Sequence, residues 1–94
     1  MRVIWTPEAE QERSDVVNYI AADNPRAAAK MDELFDLAAT RLAKRPNSGR
    51  QGKIPGTREL IPHESYRLVY EIKGDTVWIL TLMHTSRLWP PTKE

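Results

Sequence analysis

Six basic residues, Arg41, Lys44, Arg45, Arg50, Lys53 and Arg58, follow one another with no acid between them until Glu59. Such a run raises the local potential and suits a polyanion. The competing reading is a solvated loop whose cations serve solubility. Arg67 lies inside Tyr66-Arg67-Leu68-Val69-Tyr70, on the strand face opposite Tyr66 and Leu68, where a guanidinium gains little from packing. An ion pair with Glu59 or Glu71 is its structural alternative. Arg87 follows the next apolar segment, with Trp89 two residues on. His63 and His84 are the two side chains that titrate near neutrality. His84 is placed to act as an acid or base, or to close a strand end with a local hydrogen bond; His63, between Pro62 and Glu64, reads as a surface residue in a turn. Two histidines in separate segments and scattered carboxylates make no metal-ligand pattern, and no cofactor is implied.

The chain that must position these groups has 94 residues, enough for one domain spanning 1–94 with a single modest core. It has no cysteine, so neither disulfides nor thiolate metal sites contribute. No stretch has the length of a membrane span and the N-terminus lacks a signal-peptide core, so the expectation is a cytoplasmic protein without a membrane partner. Hydrophobic residues at 40% set it apart from disordered chains. The net charge of +1 hides an asymmetry: residues 1–40 carry four basic and eight acidic side chains, residues 41–94 ten basic and five acidic. The cations gather in the second half.

Arg2–Trp5 is a short apolar strand. Thr6-Pro7-Glu8 then announces a helix: a capping hydroxyl, a proline at the first helical position, and an acid near the positive end of the dipole. Ala9, Val16, Val17 and Ile20 follow at helical spacing, and Arg13 falls in the same stripe, contributing its aliphatic stem. Asn24-Pro25 breaks this helix and caps a second, in which Ala28, Met31, Phe35, Ala38 and Leu42 step by three and four, with Leu34 widening the stripe. The two form an antiparallel hairpin that ends at Pro46. Residues 46–57 contain two prolines and three glycines and read as a loop. Strands are predicted over Arg58–Pro62, Tyr66–Ile72 and Thr76–His84, the last two joined by a tight turn at Lys73-Gly74-Asp75. Tyr66, Leu68, Tyr70 and Ile72 share one face of their strand. In Thr76–His84, alternation sets Val77, Ile79 and Met83 against Trp78, Leu80 and Leu82, both sets apolar, as suits a central strand. The order is β-α-α-β-β-β, an α+β fold with a helical hairpin on one face of an antiparallel sheet. Trp5, Trp78, Tyr66 and Tyr70 are expected in the core. Trp89, followed by two prolines, either folds back onto the sheet or meets a partner.

That order of elements, the phrase Gly56-Thr57-Arg58-Glu59-Leu60, the pentapeptide Tyr66–Tyr70 and the ending His84-Thr85-Ser86-Arg87-Leu88-Trp89-Pro90 resemble the RelE/ParE toxin superfamily along essentially the whole chain. The pentapeptide with its downstream arginine is the specific signal, the helical hairpin a weak one. The resemblance implies the toxin of a type II toxin–antitoxin pair, neutralised by a cognate antitoxin. The antitoxin is expected to lay a helix or strand across the apolar groove of hairpin and sheet. The same apolar surface is open to self-association, so a homodimer or a toxin–antitoxin hetero-oligomer is the expected assembly.

Two branches follow from the resemblance. RelE-like members cut messenger RNA on the ribosome; ParE-like members inhibit DNA gyrase. RNA cleavage to a 2′,3′-cyclic phosphate needs a base, cations for the phosphorane charge and a proton donor. RelE-like enzymes use two lysines, two arginines and a C-terminal tyrosine. Here Arg67 and Arg87 match the arginines, Arg58 stands for the first lysine, Leu60 replaces the second, and Lys93 replaces the tyrosine. The phosphate-binding half survives, while the proton-transfer half would fall to Lys53 or His84. Arginine is a poor base because it stays protonated. Gyrase inhibition is therefore the preferred expectation, with Arg50, Lys53, Arg58, Arg67, Arg87 and Trp89 as target-binding residues. Ribosome-dependent cleavage with Arg67, Arg87, Arg58, Lys53 and His84 as its catalytic set is the alternative, followed by a non-toxic nucleic-acid-binding or autoregulatory module.

Overall fold

The computed structural model describes residues 1–91; Lys93, aligned above with a catalytic tyrosine, lies outside them. The elements in chain order are β1 (Arg2–Trp5), α1 (Pro7–Ala21), α2 (Pro25–Lys44), a 3-10 turn (Pro46–Ser48), β2 (Arg50–Gln51), β3 (Arg58–His63), β4 (Tyr66–Lys73) and β5 (Thr76–His84). The five strands form one sheet in the order β1-β5-β4-β3-β2. Pairing is antiparallel except for β1, which runs parallel to β5. The sheet is thus mixed, not purely antiparallel, because the helical hairpin returns the chain to the opposite edge.

Both helices start as their caps dictate. Thr6 Oγ1 accepts the Ala9 N–H at 3.2 Å, and Asn24 Oδ1 accepts the Ala27 N–H at 3.1 Å. Each cap occupies one donor that the first helical turn leaves free. Thr6 also joins α1 to the sheet, donating its N–H to Ile79 O and its hydroxyl to Leu80 O. The two helices are clamped by Arg13, whose Nε lies 2.7 Å from Asp32 Oδ1 and whose Nη2 lies 2.8 Å from Asp36 Oδ1. Its guanidinium also sits 4.8 Å over the Trp5 ring. Burial works against this charge, but the bonds to Asp32 and Asp36 outweigh it and hold the Arg13 pKa above the ordinary arginine value. The residue read as a mere aliphatic stem is therefore a polar cross-brace.

Ala9, Phe35, Ala38 and Leu42 press onto Leu60, Leu68, Tyr70, Val77, Ile79 and Leu82. Phe35 is fully buried and meets Tyr66 edge-on at 5.8 Å. Truncating such a ring to alanine costs about 3–5 kcal/mol. Leu82 belongs to this core although simple alternation placed it opposite Ile79. The cause is a bulge: Tyr70 faces Ile79 and Val69 faces Thr81, leaving Leu80 without a partner on β4. One extra residue reverses the parity of β5, turning Leu82 toward the helices and Met83 away. At the β4–β5 turn Gly74 takes φ +60°, which a two-residue hairpin requires and a β-carbon resists.

Candidate functional site

The face of the sheet away from the helices is where Arg67 falls, opposite Met83 on β5. Glu59 shares that face, because it pairs with Val69, while its neighbours Arg58 and Leu60 pair with Tyr70 and Leu68 on the helix side. Glu59 is 2% exposed. Its carboxylate gathers Arg50 Nη2 at 3.4 Å, the Lys53 N–H at 3.3 Å and Arg67 Nε at 3.8 Å. All three contacts are longer than the 2.7–2.9 Å or so of a tight charged hydrogen bond. Arg67 Nε is accordingly buried without a hydrogen-bond partner among the described residues. Arg67, 13% exposed, meets the carboxylate from within, whereas Arg50, 64% exposed, reaches it from the solvent side, where its charge is screened. The cationic loop closes over Glu59.

The same loop is held from the other face. Tyr70, fully buried, donates its hydroxyl proton to Pro46 O at 2.7 Å and accepts the Gly49 N–H at 2.9 Å. Arg58 Nη1 donates to Gly49 O at 2.8 Å. Both backbone groups of Gly49 are thereby satisfied, as its burial demands. A β-carbon there would lie 2.6 Å from Glu59 O and 2.7 Å from the Tyr70 hydroxyl, so only glycine fits. Arg58 serves this clamp and sits on the opposite face from Arg67.

At the other end, β5 runs past β1, whose register stops at Ile79. Glu12 of α1 covers the exposed edge, accepting from Thr81 Oγ1 and the Leu82 N–H, each at 2.9 Å. Beyond it the chain turns, with the Arg87 N–H donating to His84 O at 3.0 Å. Arg87 is exposed and makes no ion pair among the described residues. It stands between two clefts: one of about 300 Å³ with Glu12, Asp15, Tyr66 and His84, and one of about 480 Å³ with Thr81, Met83, Leu88 and Trp89. His84 Nδ1 accepts the Ser86 N–H at 3.0 Å, which leaves Nε2 as the nitrogen turned to other partners. Tyr66 meets the His84 ring edge-on at 5.5 Å. Trp89 folds back, half-buried, with its Nε1 buried and unpartnered among the described residues.

The predicted residues therefore separate into three groups. Arg50, Lys53 and Arg67 meet around Glu59; Arg87, His84 and Trp89 meet at the end of β5; Arg58 braces the loop from the helix side. Arg67 lies 3.8 Å from the Glu59 carboxylate, whereas Arg87 lines the clefts past β5, so the two guanidiniums have different surroundings. Glu12 was not anticipated, and neither was the loop-holding hydroxyl of Tyr70. A glutamate in the apolar stripe side of α1 was the available signal for the first. No three carboxylates, histidines or cysteines among the described residues come together as metal ligands.

Comparison with known proteins agrees with this architecture. Residues 3–89 match the family model of the ParE toxin of the type II toxin–antitoxin system parDE. The protein Y4kP of Sinorhizobium fredii is 40% identical over 90 residues, covering 95% of this chain and 93% of that one. Toxin RelE2 of Caulobacter vibrioides is 31% identical over 87 residues, covering 93% and 98%. Among solved structures, the chromosomal ParDE toxin–antitoxin system of P. aeruginosa superposes with a TM-score of 0.80 at 22% identity, over 89% of this chain and 95% of that one. The YoeB–YefM complex of Staphylococcus aureus gives 0.59 at 14% identity, over 88% and 94%. With a matching sequence model across nearly its whole length and the same helix-on-sheet fold, the chain belongs to the ParE toxin family, within the RelE/ParE superfamily of type II toxin–antitoxin systems.

Proposed function

We propose that this toxin acts by gripping an acidic surface of DNA gyrase, with a cognate antitoxin neutralising it in a toxin–antitoxin hetero-oligomer. The reading rests on one observation: Arg58 and Arg67 lie on opposite faces of the sheet and are engaged within the chain, one bound to Gly49 O and one beside Glu59, while Arg87 is exposed. Phosphoryl chemistry needs cations fixed around a single phosphorane, and separated cations lose most of that electrostatic stabilisation. A protein surface has no such requirement. Arg87, with Leu88 and Trp89 beside it, offers a cation on an apolar rim, the composition that anchors protein interfaces. Both this target and the alternative are cytoplasmic, which is where the reading puts the chain.

Ribosome-dependent cleavage of messenger RNA is the second reading, favoured by His84. Its Nε2 makes no hydrogen bond among the described residues and Arg87 lines the same cleft, so an acid or base and a phosphate-binding cation share one cleft. Expression without antitoxin separates the two. Double-strand DNA breaks and an SOS response with intact messages are expected. Messages cut in the ribosomal A site, with cutting abolished by His84→Ala, would overturn the gyrase reading.

A further inference from the structure

Residues 37–58 hold six basic side chains and no acid, and the fold divides them. Arg50 is drawn to Glu59 and Arg58 to Gly49 O. Arg41, Lys44 and Arg45, at the end of α2, are exposed and make no ion pair among the described residues. These three form one patch. Arg41 and Lys44 are neighbours on the helix surface, and the Arg45 N–H still donates to Arg41 O at 2.7 Å, so Arg45 closes the last turn over Arg41. With Thr40 and Leu37 they line a depression of about 430 Å³ in which no carboxylate stands. Earlier in the same helix the signs are mixed, Arg26 and Lys30 sharing a depression with Asp32, Glu33 and Asp36. One cation in the last turn would serve the helix dipole. Three at neighbouring positions repel one another and weaken the helix, and a surface shaped for solubility intersperses the two signs.

The patch lies at the opposite end of the sheet from Arg87. Met1 N sits 3.0 Å from Ala43 O in the last turn of α2, and Arg2 pairs with Thr76, where β5 begins. Arg87 follows His84, the far end of that nine-residue strand, roughly 25 Å away. We propose that the end of α2 grips the sugar–phosphate backbone of duplex DNA, with Arg41, Lys44 and Arg45 each on a phosphate and Thr40 donating its hydroxyl beside them. Arginine, lysine and threonine are side chains that position proteins on phosphates. A duplex turns its phosphates outward and asks for no stacking surface. Single strands need aromatic platforms, and no aromatic ring lines this depression. A protein partner is the weaker match, because interface cores are depleted of lysine and Leu37 is the one large apolar side chain on this wall. The choice of DNA over an RNA duplex rests on the gyrase reading above. An enzyme that acts on DNA holds a duplex beside whatever binds it, and a chain fixed to it through Arg87 keeps this end free to reach that duplex.

The test is fluorescence anisotropy of a labelled DNA duplex of arbitrary sequence titrated with the full chain, repeated between about 50 and 200 mM salt. Three phosphate contacts predict that log affinity falls against log salt with a slope of about −2.7, a loss of roughly fortyfold over that range. Lys44→Gln and Arg45→Gln should each flatten the slope by about 0.9, and the triple variant Arg41→Gln, Lys44→Gln, Arg45→Gln should nearly abolish it. Lys44→Arg should keep the full slope, which a misfolded chain cannot do. Lys30→Gln, earlier in the same helix, should leave the slope alone; an equal loss there would mean that net charge binds and not this patch. Absence of binding at the lowest salt, a slope that the triple variant keeps, or tighter binding of an RNA duplex or of single strands would each overturn the proposal. The readout is binding and not growth arrest, so the two readings fail separately. A chain that grips DNA through these residues yet leaves gyrase working would sink the gyrase reading alone.

Discussion

At the β2–β3 end of the sheet, Arg50 and Arg67 flank a buried carboxylate, while at the end of β5 Arg87 stands in solvent with no partner among the described residues. Both regions are cationic. They differ in what the charge does. Around Glu59 the guanidiniums neutralise an acid that the fold has already desolvated, so their removal would strand a buried charge. Arg87 neutralises no acid among the described residues, and its charge is available to a partner. Arginine content alone cannot separate these cases; the position of one glutamate does.

The largest expected effect falls on the buried end. Glu59→Ala should cost about 3 kcal/mol, read as a lower urea midpoint by tryptophan fluorescence, because it leaves Arg67 buried without a counter-charge. Replacing both partners, Glu59→Leu with Arg67→Met, should recover most of that loss. If the single and the double variants are equally unstable, the pair is not what holds this end.

Next comes Tyr70→Phe, which removes the hydroxyl between Pro46 O and the Gly49 N–H. A buried donor and acceptor left unmade cost roughly 1–3 kcal/mol. Amide exchange should accelerate in residues 46–57 and hardly change in α2; uniform acceleration would mean the bond serves the whole core. Gly49→Ala, forced against Glu59 O and the same hydroxyl, should fall in a similar range of about 1–3 kcal/mol from overpacking.

Smallest in stability, and largest in consequence, is Arg87→Ala. An exposed side chain without an ion pair should move the unfolding free energy by less than about 0.5 kcal/mol. Growth arrest on expression should nevertheless be relieved. A variant that remains fully toxic would erase the functional contrast between the two ends.

Much of the fold was legible because its signals are local. Thr6-Pro7 and Asn24-Pro25 cap helices wherever they occur, and the steps from Ala28 to Leu42 need only the helical period. The alternation of Tyr66, Leu68 and Tyr70 needed only a strand. What escaped depends on partners. The bulge at Leu80 is invisible in a segment apolar on both sides, so Leu82 and Met83 were assigned to the wrong faces. The parallel pairing of β1 joins residues more than seventy positions apart. For the site, Arg67 and Glu59 were recognisable as a candidate pair, but the separation of Arg58 from Arg67 follows from the β3–β4 register, which composition and spacing do not determine. Trp89 could be narrowed to two alternatives; it is half-buried and lines one cleft with Met83 and Arg87.

The phenol of Tyr70 has its ring in the hydrophobic interior and its oxygen under the segment that carries Arg50 and Lys53. That segment is therefore not an interchangeable surface module. A different loop grafted here would need its own glycine at position 49 and a hydroxyl rising to meet it, so changes in this loop must be accompanied by matching changes in the interior.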